Sequence, residues 1–326
     1  MIASLHAMKV SYLEFEKPLA ELDSKIAELE TLSGRKDGPS ISDELTKLKA
    51  KSQKLLKDTY SDLSAWQKTQ VARHPDRPHF SDFVENIFED FEELAGDRVY
   101  GNDEAVIGGL ARFKGRPVVV MGHEKGRTTE TRLRHNFGMA HPEGYRKAVR
   151  LMDLAEKFNL PVLSFPDTAG AYPGKGGEER GQAEAIARGT QRGLTLGVPF
   201  VTLIIGEGMS GGAIGIAAAN KVLMMEHAIY SVISPEGCAS ILYRDAGKAK
   251  DAADAMKITA PDLLRTKVID EVVKEPVGGA HRDPQRAMAT AAKALEKSLK
   301  ELDGLSPAEL RRQRAERFYA IGREGL

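Results

Sequence analysis

The chain has 326 residues, and its 47 lysines and arginines balance its 47 aspartates and glutamates. This neutral balance gives no electrostatic basis for a nucleic-acid or membrane-surface partner. The single cysteine, Cys238, excludes an intrachain disulfide and a zinc site built from this chain's cysteines, so we expect no metal in it. Residues 1–10 lack a secretory signal, and no stretch reaches the roughly 18 apolar residues of a membrane helix. We expect a cytoplasmic protein.

The first part of the chain has the apolar spacing of amphipathic helices. Leu19, Leu22 and Ile26 recur at intervals of three and four residues. The same spacing resumes after a break that contains glycine and proline, at residues 33–40. We predict a two-helix arm in an N-terminal unit of residues 1–77, packed on its own body or on a partner and without a catalytic role.

Strands and helices alternate through residues 78–282, which we predict to be the catalytic body. Two β-rich runs, residues 105–113 and 117–122, are joined by Lys-Gly-Arg and predict a hairpin. Further strands are predicted at residues 161–165, 199–205, 221–225 and 229–233, and helices at residues 178–192 and 211–219. The last two strands have only a few residues between them, whereas a regular doubly wound sheet has a helix there.

The C-terminal unit, residues 283–326, is helical in pattern and highly charged. It contains an arginine-rich run at residues 311–317, but acidic residues surround that run. We predict a solvated helix face rather than a phosphate site.

The most informative segment is the glycine-rich run at residues 206–216, which follows a predicted strand and opens a predicted helix. As G-x-G-x-x-G it suggests a dinucleotide site, and Glu226 lies 20 residues beyond Gly206, as such a site requires. The fingerprint normally opens its domain and is followed by further β-α units. Here it comes late and is followed by paired strands, which counts against this hypothesis.

As G-x-S-x-G, the same run suggests a hydrolase in which Ser210 is the nucleophile. Such a serine needs a histidine, and His227 or His281 with Asp270 are the candidates by chain order. Nothing in the sequence brings them together. A serine at this place also fits a helix N-cap, with its hydroxyl accepting from the amide of Ala213.

A third hypothesis needs no side chain. The first amides of a helix lack intrahelical acceptors, so the amides of Gly211 and Gly212 can stabilise a developing oxyanion. Glycine permits close approach of a carbonyl, although it also permits tight packing. Two further segments, residues 167–181 and 234–240, follow predicted strands and are rich in glycine and proline, as loops that line clefts are.

The chain resembles the family of bacterial acetyl-coenzyme A carboxylase carboxyltransferase alpha subunits over nearly its whole length. Long and specific motifs carry this resemblance, at residues 72–75, 94–98, 136–139, 142–147, 167–181, 206–212 and 234–240. Met209 stands where the family often has glycine, and Ala169 where proline is common. Neither change touches Gly211 or Gly212.

The resemblance implies an α/β fold of the crotonase-like (ClpP/crotonase) type, a spiral of ββα units with N- and C-terminal helical extensions. It also implies a biotin-dependent carboxyltransferase. Carboxyl transfer from carboxybiotin, held on a separate carrier protein, to acetyl-coenzyme A would give malonyl-coenzyme A, the committed step of fatty-acid synthesis. A serine hydrolase of the same fold that uses Ser210, or a non-catalytic scaffold, are the alternatives.

The family's site residues carry over to this chain by position. Gly211 and Gly212 would form a backbone oxyanion hole, and a carboxybiotin pocket would include Gly170, Ala171, Tyr172, Pro173, Gly208 and Met209. The partners implied are a zinc-containing beta subunit that contacts coenzyme A, in an alpha2-beta2 assembly, together with the biotin carboxyl carrier protein and biotin carboxylase of the ATP-dependent complex. This chain should be inactive alone.

Overall fold

The computed structural model describes residues 11–33 and 42–323 of the chain. Strands in these residues are β1 (Glu89–Glu93), β2 (Val106–Phe113), β3 (Arg116–His123), β4 (Val162–Phe165), β5 (Phe200–Ile204), β6 (Glu207–Met209), β7 (Lys221–Met225), β8 (Ile229–Ser231) and β9 (Glu271–Val273). Seven form one sheet in the order β1-β2-β3-β4-β5-β7-β9. Strands β1 to β3 pair antiparallel, and β3, β4, β5, β7 and β9 are parallel.

The predicted hairpin is confirmed by β2 and β3. Phe113 pairs with Arg116, and the two turn residues Lys114 and Gly115 have φ angles of 52° and 76°. Two positive φ angles are typical of the type I′ turn, whose twist suits a tight hairpin. Strands β4 and β5 are buried along their whole length, as expected of parallel strands that are covered on both faces.

Helices surround the sheet. They are α1 (Lys17–Ser33), α2 (Ser42–Ser61), α3 (Ala65–Ala72), α4 (Phe80–Ile87), α5 (Thr129–Arg134), α6 (Pro142–Lys157), α7 (Lys175–Glu179), α8 (Gln182–Thr195), α9 (Ser210–Ile214), α10 (Pro235–Leu242), α11 (Ala249–Met256), α12 (Ala260–Arg265), α13 (Pro284–Leu302) and α14 (Pro307–Ala320). Helix α6 packs along α8 and on β2 and β3, and α13 packs on β5 and β9. Among these helices none is long and apolar enough to cross a membrane.

Helix α13 shows how local sequence sets these elements. Asp283 caps it by accepting a hydrogen bond from the amide of Arg286, and Pro284 occupies its first turn. Ala287, Ala291 and other residues at spacings of three and four lie on its buried face.

The paired strands at residues 221–225 and 229–233 were predicted correctly as strands but belong to different sheets. Strand β7 lies in the main sheet between β5 and β9, whereas β8 pairs in parallel with β6 in a separate two-stranded sheet. Strand β6, which lies within the glycine-rich run, was missed because three residues of Glu-Gly-Met carry no strand pattern.

Two predicted helices are shorter than expected. The helix predicted at residues 211–219 is only α9, which ends at Ile214, because α8 crosses at that point and a Cβ atom at Gly189 would lie 2.7 Å from the carbonyl oxygen of Gly215. The helix predicted at residues 178–192 is divided into α7 and α8, because Gly181 between them adopts a left-handed conformation (φ 79°).

The N-terminal helices pack on the body, as predicted for the arm. Glu16 is buried, and its Oε1 accepts hydrogen bonds from the hydroxyl of Tyr60 (3.0 Å) and from Nη2 of Arg282 (2.7 Å). Apart from Ser33, the predicted break at residues 33–40 lies outside the described residues. The division of the chain after residues 77 and 282 stays a prediction.

The arginine-rich run lies on α14, and the prediction of a solvated face is wrong for part of it. Arg312 is exposed, but Arg314 is fully buried. The Arg314 guanidinium donates to the carbonyl of Leu196 (2.7 Å) and to the side chain of Asn220. Helix α14 is therefore tied to the loop between α8 and β5, because a buried guanidinium needs acceptors.

Candidate active site

Ser210 begins α9 in a left-handed backbone conformation (φ 53°). The N-cap is Met209, which is extended, and no side chain caps this helix. The predicted N-cap role of Ser210 is therefore wrong, because a capping serine must itself be extended for its hydroxyl to reach the amides ahead of it. A non-glycine residue with positive φ is strained, and such strain clusters at active-site turns.

The strained turn does not bring Ser210 together with a catalytic base. The ring of His227 contacts Tyr60, with ring centroids 5.7 Å apart, and His281 stacks on a histidine of the α3–α4 connection. Asp270 accepts from Nε of Arg317 (2.8 Å). Neither histidine nor Asp270 lines the cavity at Ser210. The hydrolase hypothesis is not supported.

The dinucleotide hypothesis also finds no support in the geometry. Glu226 accepts from Nζ of Lys274 (2.6 Å) and from the amide of Glu275 (3.1 Å). Its carboxylate is thus used to join the end of β7 to the end of β9. The helix that follows the glycine-rich run is also too short to match the dinucleotide fold.

Gly211 and Gly212 are the second and third residues of α9, where amides have no intrahelical acceptor. A Cβ atom at Gly212 would lie 2.6 Å from the carbonyl carbon of Gly170 and 2.7 Å from the nitrogen of Ala171. Only glycine allows two backbones to approach so closely. A Cβ atom at Gly211 would instead meet the side chain of Ile186, 3.1 Å from Cγ2.

The loop after β4 is held against the glycine-rich run by backbone hydrogen bonds. The amide of Thr168 donates to the carbonyl of Glu207 (2.6 Å), and its carbonyl accepts from the amide of Met209 (3.0 Å). The Thr168 hydroxyl donates to the carbonyl of Gly170 (2.7 Å) and accepts from the Gly170 amide (3.1 Å). The structure thus joins the two segments that the sequence singled out separately.

The other predicted pocket residues contribute unequally. Tyr172 is half-buried and Pro173 is exposed, on the continuation of the same loop. The side chain of Met209 is fully buried in a small apolar cluster. A Cβ atom at Gly208 would lie 2.9 Å from the ring of Tyr230. Gly208 and Met209 can therefore form the pocket wall only through their backbone.

A cavity of about 580 Å³ adjoins Ser210 and Gly211. Most of its wall is apolar and comes from distant parts of the chain, including Tyr230, Ile258 and Phe318. These residues follow Ser210 by 20 to 108 positions and carry no motif of their own, so sequence reasoning missed them. Helix α14, which was predicted to be a solvated extension, forms part of this wall.

An ion cluster lies beside the joined segments, and no sequence pattern indicated that its members would meet. Nζ of Lys125 donates to Oε1 of Glu207 (2.7 Å) and lies 2.9 Å from Oδ1 of Asp167. Nε of Arg73 contacts Oε2 of Glu207 (2.7 Å), and its Nη1 contacts Oε1 of Glu236 (2.7 Å). Oδ1 of Asp167 also accepts from the amide of Glu207 (3.0 Å).

The pKa values in this cluster are set by a competition between burial and opposite charge. Burial by itself would lower the pKa of Lys125, but the carboxylates of Asp167 and Glu207 outweigh it and raise that pKa. Burial would raise the pKa of both carboxyl groups, yet the Lys125 ammonium holds them below their usual values. All three groups are therefore charged at neutral pH.

His123, at the end of β3, predicts a pH dependence of stability. It is fully buried, its ring nitrogens have no hydrogen-bond partner among the described residues, and burial lowers its pKa from 6.5 to about 4. Below pH 6.5 the unfolded chain binds a proton that the folded chain excludes. The free energy of unfolding should therefore decrease as the pH is lowered from 6.5 to about 4, by up to about 1.4 kcal/mol per pH unit for this group.

In a His123→Gln variant this contribution to the pH dependence of the free energy of unfolding should be absent. Urea denaturation from neutral pH down to about pH 4 measures it. The variant must first be shown to fold at neutral pH. An unchanged slope in a folded His123→Gln protein would contradict the assignment to His123.

Comparisons with known proteins agree with the resemblance. The model of the family described as "Acetyl co-enzyme A carboxylase carboxyltransferase-like" matches residues 12–322. A protein of Caulobacter sp. strain K31, named acetyl-coenzyme A carboxylase carboxyl transferase subunit alpha, is 61% identical over 98% of this chain and 100% of its own length. The protein of the same name from Azorhizobium caulinodans is 63% identical over 96% of this chain and 99% of its own.

Solved structures support the fold. A transcarboxylase 12S structure with methylmalonyl-coenzyme A and methylmalonic acid bound has a TM-score of 0.56 at 16% identity, over 69% of this chain and 42% of that longer chain. A chain of a Pseudomonas malonate decarboxylase hetero-tetramer in complex with coenzyme A has a TM-score of 0.54 at 15% identity. The match covers 66% of this chain and 87% of the decarboxylase chain. The crotonase-like prediction is confirmed by these neighbours.

Proposed function

This chain belongs to the family of acetyl-coenzyme A carboxylase carboxyltransferase alpha subunits, and on this basis we propose that Gly211 and Gly212 form half of its active site. As a carboxyltransferase subunit it acts in the transfer of a carboxyl group from carboxybiotin to acetyl-coenzyme A, which gives malonyl-coenzyme A. The observation that carries our proposal is the start of α9. Two adjacent glycine amides without intrahelical acceptors lie there, beside a cavity.

The amides of Gly211 and Gly212 donate to an oxygen on which negative charge develops, which we assign to the ureido oxygen of biotin. They need no reorganisation at the moment of reaction, because α9 is already packed against the backbone of Gly170 and Ala171. Helix α9 has only five residues, so it supplies free N–H groups rather than a large macrodipole, which is the sum of many aligned peptides. Bound carboxybiotin supplies the carboxyl group and, after release, N1 as a base.

We place the flat biotin ring beside Gly211, where the adjoining cavity reaches the start of α9. The backbone of Gly170 and Ala171 packs directly on Gly212 and supports the start of α9 from the other side. Tyr172, Pro173 and the backbone of Gly208 and Met209 remain proposed pocket residues, although none of the six lines this cavity. The adjoining cavity of about 580 Å³ lies within the range of roughly 300–1,000 Å³ that small-ligand sites occupy.

The name of the relatives, subunit alpha, implies a second subunit, and the chemistry requires one. Carboxyl transfer creates negative charge on two oxygens, the ureido oxygen and the enolate oxygen of acetyl-coenzyme A, whereas the glycine amides of α9 serve one. A beta subunit would supply the second donor pair and the coenzyme A contacts, in an alpha2-beta2 assembly that receives biotin on a carrier protein charged by biotin carboxylase.

Reconstitution tests this function. The chain alone should form no malonyl-coenzyme A from carboxybiotin and acetyl-coenzyme A, and addition of the beta subunit should restore the reaction. Malonyl-coenzyme A formation by the isolated chain would contradict the division of the site between two subunits.

Ser210 variants separate this function from serine hydrolysis. Because no base in residues 11–33 or 42–323 contacts Ser210, a Ser210→Ala variant of the reconstituted complex should keep its kcat within about threefold, which is less than 1 kcal/mol of barrier. Ser210→Gly is the matched control, since glycine also relieves the positive φ at this position. Loss of kcat in both variants, together with labelling of the native chain by a fluorophosphonate, would support the hydrolase hypothesis instead.

A further inference from the structure

Five charged residues meet in one place, although they come from five separate segments, four of which lie in the motifs. These are Arg73 at the end of α3, Lys125 after β3, Asp167 after β4, Glu207 in β6 and Glu236 in α10. The oxyanion mechanism uses none of their side chains. Burying charges in this number is costly unless they are paired, so their arrangement calls for a role.

Lys125 lies at the centre of this cluster and joins the two segments that form the proposed site. Asp167 begins the loop that carries Gly170, and Glu207 lies three residues before Ser210. The Lys125 ammonium contacts one carboxylate oxygen of each, at 2.9 Å and 2.7 Å. Its position therefore fixes the separation of the loop from the start of α9.

Arg73 extends the same connection to α10. Its guanidinium contacts the second carboxylate oxygen of Glu207 and both oxygens of Glu236. Glu207 is thus held from both sides, by Lys125 through Oε1 and by Arg73 through Oε2. Rotation of the Glu207 side chain would break one of these contacts.

The geometry also argues against a direct role of Lys125 in binding an anionic substrate. Lys125 lines a second cavity of about 450 Å³, but its ammonium already contacts two carboxylates. Its side chain is only 16% exposed. An incoming carboxylate would have to displace one of these two partners.

We propose that Lys125 is a positioning residue that clamps the loop at Gly170 to the glycine-rich run, so that the amides of Gly211 and Gly212 are held at a fixed distance from the opposite wall. This inference rests on the proposed function for its catalytic consequence. The clamp itself is a statement about two segments of this chain, and it can be tested separately.

The test uses hydrogen–deuterium exchange and kinetics on the same variants of the reconstituted complex. In Lys125→Met, amide exchange should rise about tenfold or more in residues 167–172 and 206–214, because local opening becomes easier. The kcat for malonyl-coenzyme A formation should fall about 10- to 100-fold, with KM changed much less. Misplaced donors stabilise the transition state less well but have a smaller effect on substrate binding.

Two further variants make this result specific. Lys125→Arg keeps a cation that can contact both carboxylates, and it should recover most of the exchange protection and of kcat. Lys221→Met removes a partly buried lysine that pairs with Glu301 at 2.7 Å and contacts neither carboxylate of the clamp, and it should change neither. If Lys125→Met fails to fold, Glu207→Gln takes its place: it removes the charge that Lys125 contacts through Oε1, and exchange should rise in residues 167–172 and 206–214.

Unchanged exchange in both segments of Lys125→Met would overturn the clamp, as would unchanged exchange in both segments of Glu207→Gln where that variant is the one used. Faster exchange with an unchanged kcat would have a different meaning. It would support the clamp but overturn its catalytic consequence, whereas a variant that removes the Gly211 amide hydrogen tests the amides themselves.

Discussion

A Gly211→Pro variant of the reconstituted carboxyltransferase is expected to lose about 100- to 1,000-fold in kcat, which is the usual effect of deleting one oxyanion donor. Proline removes the amide hydrogen but is tolerated in the first turn of a helix, where that hydrogen has no helical acceptor. Gly211 is the second residue of α9, and its φ is not positive. The substitution removes the proposed donor, but proline also disfavours the left-handed conformation of Ser210 before it. The variant and its control are therefore made in a Ser210→Gly background, because glycine tolerates more backbone conformations.

Gly211→Ala is the matched control, because alanine keeps the amide hydrogen. Its Cβ atom would lie 3.1 Å from Cγ2 and 3.3 Å from Cδ1 of Ile186, whose side chain can move. We expect kcat of this variant to stay within about tenfold of the native value, a change of about 1.4 kcal/mol. The kcat of both variants is measured by malonyl-coenzyme A formation, and circular dichroism shows whether they fold.

Gly212 offers a less direct test. Any Cβ atom there would meet the backbone of Gly170 and Ala171, so even Gly212→Ala would displace the loop as well as alter the donor. Its loss of activity would not separate the two effects. If a folded Gly211→Pro complex kept native kcat, the oxyanion assignment would be wrong, and a scaffold role for this chain would gain support.

Much of the fold could be predicted from the sequence because its signals are local. The Lys114-Gly115 turn fixes the hairpin of β2 and β3, and the fully apolar runs of β4 and β5 are typical of covered parallel strands. The predictions failed for short elements. Strand β6 and the early end of α9 depend on what packs against them, and a single sequence does not report that.

The candidate site was predictable in part for the same reason. Glycine at positions 211 and 212 is a local signal, since it indicates close approach to backbone. The conformation of Ser210 was not predictable, because positive φ is uncommon for a serine and no local pattern indicates it. Lys125 carries no motif of its own, and its role appears only when Asp167 and Glu207 are adjacent in space.

The largest loss of stability is expected from Arg77→Met. The guanidinium of Arg77 is buried, with its Nη1 and Nη2 at 3.0 Å and 2.6 Å from the two carboxylate oxygens of Glu275, and its Nε donates to the carbonyl of Ile205 (2.6 Å). Burial would raise the pKa of Glu275, but the charge of Arg77 outweighs it and lowers that pKa to about 2. Removing Arg77 therefore leaves a buried carboxylate without its cation.

We expect Arg77→Met to lower the free energy of unfolding by about 3–5 kcal/mol, as when one partner of a buried ion pair is removed. Arg112→Met is the control: it breaks an exposed pair with Asp90 and should cost less than about 1 kcal/mol. The double variant Arg77→Met/Glu275→Gln should recover part of the loss, because a neutral amide no longer needs a cation. The recovery stays partial, since the amides of His227 and Ala280 donate to different oxygens of Glu275 and the single oxygen of glutamine can accept from only one of them. Urea denaturation at neutral pH measures all three, and a double variant no more stable than Arg77→Met would show that lost packing, not the unpaired charge, causes the effect.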